Sequence, residues 1–198
     1  MKKKVLVSAG ALALAAGVGI GGTLAWLTAT SEEKVNTFVY AFGGETDPIT
    51  LTLTETFEQN ASVTPGAQIE KVPVLTVGAD SVDCYVYAEI DNQFGDIATL
   101  DIDTNNWLKV TGTENIYRYK DIVDTEKGTA LPQLFNTVTF STDLDADDLK
   151  GMVNPDAEVE GQLTQTITIN GYAIQSDGEG MTQDLADGQA KTHFGVGA

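Results

Sequence analysis

Ile49-Thr50-Leu51-Thr52-Leu53-Thr54-Glu55-Thr56-Phe57 sets a threonine at every second position, with an apolar residue at each position between except Glu55. Successive side chains of an extended chain point to opposite faces, so a period of two marks a strand with one face on a core and the other in water. Threonine and isoleucine are β-branched and suit the pleat. The stretch therefore reads as a half-buried strand with Ile49, Leu51, Leu53 and Phe57 on one side. The same period recurs in both directions along the chain. Thr64-Pro65-Gly66-Ala67 is a turn signal, because proline presets φ at the first central position and glycine accepts a positive φ at the second. Further strands are expected over 35–42, 71–77, 82–91, 107–110, 116–120, 135–141 and 163–174. Many strands separated by turns, without a long amphipathic helix, predict an all-β fold. Its architecture is an antiparallel two-sheet sandwich, jelly-roll or Ig-like. One or two short helices are expected, over 145–152, where carboxylates suit a helix N-terminus, and over 181–190. Gly195-Val196-Gly197-Ala198 reads as a loose end.

The N-terminus carries a different signal. Lys2, Lys3 and Lys4 precede an apolar run from Val5 to Ile20, followed by Gly21-Gly22-Thr23-Leu24-Ala25. A basic region, an apolar core and small residues at Thr23 and Ala25 are the layout of an export signal, with cleavage expected after Ala25. A retained anchor over 5–27 would just span a bilayer, but the glycines at 17, 19, 21 and 22 weaken such a helix. The expected division is a signal peptide at 1–25, an N-terminal segment at 26–44 and one sandwich domain at 45–198. No mature membrane anchor is expected, and the mature protein is expected outside the cell or on its surface.

The whole chain carries a formal net charge of −18, and loss of a lysine-rich signal makes it more acidic still. Such a surface repels phosphate and anionic headgroups, which sets nucleic acid aside as a partner. Cys84 is the only cysteine, so it forms no intramolecular disulfide. Its place in Val82-Asp83-Cys84-Tyr85-Val86-Tyr87-Ala88 suits a small buried hydrophobe, with an intermolecular disulfide as a minor alternative.

Several segments resemble the TasA and camelysin family of Gram-positive secreted proteins, exported through the signal peptidase SipW. They are Gly21-Gly22-Thr23-Leu24-Ala25-Trp26-Leu27-Thr28 and Lys34-Val35-Asn36-Thr37-Phe38. Thinner likeness runs through Val63-Thr64-Pro65-Gly66 and Asp83-Cys84-Tyr85-Val86-Tyr87-Ala88-Glu89-Ile90, then through 134–140 and 171–178. The resemblance implies a jelly-roll domain at the cell surface or in a biofilm matrix, in which the N-terminal strand of one subunit fills a groove in the next. Trp26, Leu27, Val35, Phe38, Tyr40 and Phe42 are the candidate assembly residues, and the partner would be a second copy or a related matrix protein. The same strand can instead pair within its own sheet. A monomeric surface module that presents loops to a ligand is a further alternative.

Some relatives in that family carry a metallopeptidase label, which makes a camelysin-like secreted peptidase the enzymatic alternative. Zinc hydrolases need several nitrogen or sulfur ligands and a general base. This chain has one histidine, His193, expected in the tail, so no catalytic residue is assigned and the reading is non-enzymatic. Asp143-Leu144-Asp145-Ala146-Asp147-Asp148 imitates the start of a calcium loop, with Asp143, Asp145 and Asp147 as ligands. It lacks glycine at the sixth position and glutamate at the twelfth, where Asp148 and Asn154 stand. Weak calcium binding is thus the one cofactor expectation, beside the plainer reading of an acidic helix cap.

Overall fold

In the computed structural model, Ile49, Leu51 and Leu53 are buried while Thr54 and Thr56 face solvent, as the alternation predicts. The structure describes residues 25–26, 35–38, 49–57, 61–79, 81–124, 129–156, 161–177 and 180–196. In chain order the elements are β1 (Ala25–Trp26), β2 (Val35–Phe38), β3 (Ile49–Phe57), β4 (Ser62–Val63), β5 (Gln68–Val77) and β6 (Cys84–Asn92). A 3₁₀ turn at Gly95–Ile97 leads into β7 (Ala98–Leu100), β8 (Trp107–Lys109), β9 (Ile116–Tyr119), β10 (Thr129–Ala130) and β11 (Thr137–Phe140). Helix α1 (Ala146–Lys150), β12 (Ile167–Gln175) and helix α2 (Gln183–His193) complete the order.

The strands form two antiparallel sheets. The first has the order β2-β3-β5-β11-β7, with β10 also on β5, and the second has the order β12-β6-β9-β8. A two-residue pairing joins β1 to β4. The fold is thus the all-β two-sheet sandwich expected from the sequence, with two short helices. Strand β5 is the hub of the first sheet. It pairs with β3 from Leu51↔Val77 to Phe57↔Lys71 on one edge, and with β10 and then β11 on the other. The turn before β5 has Gly66 at φ +72°, and Ala67 N–H donates to the Thr64 carbonyl at 2.9 Å. Strands β1, β4, β7 and β10 were not expected. They are two or three residues long, too short to show a period of two.

The core lies between the sheets. Leu51, Leu75 and Val77 come from the first, and Val86, Ala88 and Ile169 from the second, with Trp107, Phe135 and Phe140 among the largest fully buried side chains. The sheets approach closely at Gly171 in β12. A Cβ there would lie 2.7 Å from Leu75 Cδ2 and 3.0 Å from Leu51 Cδ2, so the position excludes a side chain. Elsewhere Trp107 Nε1 donates to the Pro132 carbonyl at 3.0 Å, and Phe94 meets Phe140 edge-on at 5.3 Å. Cys84 is fully buried, and burial pushes its thiol up to about 12, which makes it an inert small hydrophobe in the folded domain.

One charged pair breaks the apolar pattern of the inner face. Lys71 is 1% exposed, and its Nζ donates to Glu55 Oε2 at 2.6 Å with the Phe57 ring 5.4 Å away. The parity of β3 puts Glu55 on the side of Leu51 and Leu53, and the register puts Lys71 opposite Phe57 on that same side. Burial of both charges is tolerable only because each neutralises the other.

The helices correct two expectations. Helix α1 covers a shorter span than 145–152, but its acids act at the N-terminus as expected. Asp145 accepts from the N–H groups of Asp147 and Asp148, while Asp148 accepts from Asp145 N–H, a reciprocal capping box. Through Val196 the C-terminal region is not a loose tail, and residues 197 and 198 lie outside the described residues. Helix α2 runs through His193 and closes with Gly195 at φ +74°. There Gly195 N–H donates to the Thr192 carbonyl and Val196 N–H to the Lys191 carbonyl. Ala186 and Ala190, one turn apart, pack on Tyr87, Val110, Ile116 and Ile174 on the outer face of the second sheet. The strand expected over 163–174 begins at Ile167, and Leu163 forms an isolated bridge with Val153.

Two stability measurements follow from this core. Gly171→Val overpacks the closest approach of the sheets and lowers the unfolding free energy by about 1–3 kcal/mol in urea denaturation. Glu55→Ala strands a buried ammonium and costs about 3–5 kcal/mol, whereas the joint change Glu55→Leu with Lys71→Met recovers most of that loss.

Candidate functional site

Strand β2 occupies one edge of the first sheet. It runs antiparallel to β3 with Val35 opposite Thr52, Asn36 opposite Leu51, Thr37 opposite Thr50 and Phe38 opposite Ile49. Thr50 turns its backbone the other way. Its carbonyl accepts from Gly78 N–H at 2.8 Å and its N–H donates to Ser81 Oγ at 3.1 Å. By alternation the backbone groups of Ile49 and Leu51 face β2, which makes β2 the strand that satisfies this edge. Ile49 and Leu51 are also buried core residues. The edge therefore joins unpaired-prone backbone to apolar side chains, the two ingredients of strand addition.

Of the candidate assembly residues, Val35 and Phe38 lie in β2, and Trp26 lies in β1 opposite Ser62. Leu27, Tyr40 and Phe42 fall outside the described residues, as does Thr23. Ala25, beside the expected cleavage point, pairs with Val63, a buried residue. The pairing of β2 is with its own chain, one of the two arrangements the sequence left open. Across the sandwich, β12 packs on β3 and reaches β2. Among the described strands β12 is an edge of the second sheet, so the β2 edge of the first sheet and the β12 edge of the second lie on the same side.

The acidic candidates are not brought together. Asp145 is turned onto the N–H groups of α1, and Asp143 N–H donates to Ser141 Oγ. Among the described residues no group of three or more His, Cys, Asp or Glu side chains is arranged to hold a metal ion. Asp101 accepts from Asn136 N–H at 3.0 Å and Thr137 N–H at 2.7 Å, so it fixes the start of β11. No helix among the described residues is long and apolar enough to cross a membrane.

A polar cluster that the sequence did not announce lies under α2. Arg118 of β9 is 7% exposed, and its Nη1 donates to both carboxylate oxygens of Asp187, at 2.8 and 2.9 Å. Tyr87 Oη donates to Asp187 Oδ1 at 2.9 Å. With its amide oxygen turned inward, Gln183 accepts from Nη1 and Nη2 at 3.0 Å. Arg118 Nε is buried without a hydrogen-bond partner among the described residues. Burial, and then the hydrogen bond to Asp187, raise the Tyr87 pKa, so the phenol stays a donor. Asp187 lies 69 positions from Arg118, and no local pattern links residues so far apart.

His193 is the last residue of α2. Its ring stacks on Tyr172, with centroids 4.3 Å apart and planes 18° from parallel, and meets Phe194 edge-on at 5.0 Å. Burial lowers its pKa, with the Glu89 carboxylate opposing the shift. The unfolded chain therefore binds a proton near pH 6.5, where the folded chain still resists it. This residue's contribution to stability is complete above about pH 6.5 and is lost as the pH falls toward the folded-state pKa. A ¹H NMR titration of the single histidine is expected to give a midpoint below 6.5, returning to about 6.5 in denaturant.

Comparison of the chain with protein-family models, with curated proteins and with solved structures gave no match.

Proposed function

We propose that this chain is a secreted structural protein of a cell surface or biofilm matrix, built to assemble into fibres by N-terminal strand addition. The observation that carries this reading is the position of β2, which is held by β3 alone among the described strands of its sheet. An edge strand next to the expected mature terminus is exchangeable. If β2 of one copy leaves, Ile49 and Leu51 present backbone groups and an apolar row, and β2 of a neighbour satisfies both in the same register. The contact is then head-to-tail and does not close on itself, so repetition gives a filament. The export-signal layout, the acidic chain and the resemblance to the TasA and camelysin family support the same reading. The proposed role is non-enzymatic, and the proposed partner is a second copy of the chain.

The test compares three proteins by electron microscopy and sedimentation: a chain beginning at Trp26, a chain beginning at Glu45, and the first with Phe38→Asp. Filaments are expected from the first alone, because a carboxylate placed opposite the buried Ile49 costs several kcal/mol at the joint. Acid is expected to promote assembly below roughly pH 5, where protonation reduces repulsion between subunits. Filaments from the chain lacking β2, or compact monomers in every case, would overturn the proposal.

A further inference from the structure

From the packing of α2 we infer that this helix is a releasable latch over the outer face of the second sheet, held by Arg118, Asp187 and Tyr87. The inference is independent of strand addition. It begins from how little apolar surface the helix contributes. Only Ala186 and Ala190 of α2 are buried, and its one large aliphatic residue, Leu185, is 46% exposed. Two methyl side chains bury far less than two leucines would. A helix of 11 residues is marginal in water by itself, and Gly188 in its interior weakens it further. Helix α2 therefore persists only while docked, and its docking rests on the polar contact together with Met181, Phe194 and Val196 at its ends and the stack of His193 on Tyr172.

That contact has an all-or-none character. A buried guanidinium with its carboxylate in place is tolerable, whereas the same group without it is costly. Asp187 is the only carboxylate bonded to Arg118 among the described residues, and Tyr87 donates to the same carboxylate. Loss of Asp187 from the site thus removes the two bonds from Arg118 and the one from Tyr87 together. What lies beneath does not need the helix for its own integrity. The main core between the sheets includes no residue of α2, which belongs to a second, smaller cluster. Release uncovers Tyr87, Ile116, Ile174 and Val110, with Tyr85 and Tyr172 beside them, around the cationic Arg118. In the closed state Asp187 is the built-in carboxylate occupant of that face.

The separation of the two clusters makes α2 a local unfolding unit, and native-state hydrogen exchange read by mass spectrometry on the full chain tests it. In the wild type, residues 183–193 are expected to exchange at least about ten-fold faster than residues 84–92. A Cβ at Gly188 would meet nothing within 4 Å, so Gly188→Ala stabilises the helix without disturbing its neighbours. It is expected to slow exchange in α2 about three-fold or more while leaving 84–92 and 167–175 unchanged. Asp187→Asn is expected to speed exchange in α2 about ten-fold or more, with the strands within two-fold. If Gly188→Ala slows helix and strands equally, α2 opens only with the whole domain and the latch is refuted. An Asp187→Asn variant with unchanged protection in α2 would refute the clasp.

Discussion

The approach of Gly171 to Leu51 and Leu75 governs the sandwich. Face-to-face sheets ordinarily stand about 10 Å apart, with side chains from both filling the gap. At Gly171 one of those side chains is missing, and the methyl groups of two leucines take its place. The three strands involved are β12, β3 and β5, so the contact brings an edge of the second sheet onto the inner strands of the first. Elsewhere larger groups fill the gap, with Trp107 bonded to the Pro132 carbonyl and Phe94 edge-on to Phe140. On the side that carries β2, β12 packs against β3 and reaches β2.

The second sheet differs from the first in what its outer face does. Along β6, Cys84, Val86, Ala88 and Ile90 point to the main core, while Tyr87 and its neighbour Tyr85 belong to the cluster beneath α2. A strand buried on both faces reads as a nearly continuous apolar run. That is why 84–90 lacks the clean alternation of β3. The threonines on the outer face of β3 report the opposite condition, a face in contact with water.

These contrasts explain what was legible in the sequence. Ile49–Phe57 has the bounds that its alternation predicts, because nine residues of period two leave no second interpretation. The turn at Pro65 and Gly66 was equally clear, since its residues are chosen by backbone geometry alone. Lys71 was harder. Parity with Ile69 and Leu75 puts it inward, yet a lysine in a strand ordinarily reads as solvated, and its carboxylate partner lies on another strand. The docking of α2 was hidden for a related reason. Two alanines give a faint helical stripe, and Arg118 and Asp187 become neighbours only after the second sheet has formed. The edge position of β2 was half legible: its extended conformation could be read from Val35 to Phe38, but its partner could not.

The ion pair between Lys71 and Glu55 has a meaning for the search among alternative pairings. Sliding β3 by one residue against β5 would turn its leucines to water, and the hydrophobic effect rejects that arrangement at once. Sliding it by two residues is a subtler error, because every inner-facing residue of β3 stays on the inner face and parity does not register the change. Such a slide carries Glu55 about 7 Å along the strand and away from Lys71. The lysine would then remain in the interior as a bare charge. Aliphatic periodicity chooses the face, and this one pair of opposite charges counts the residues.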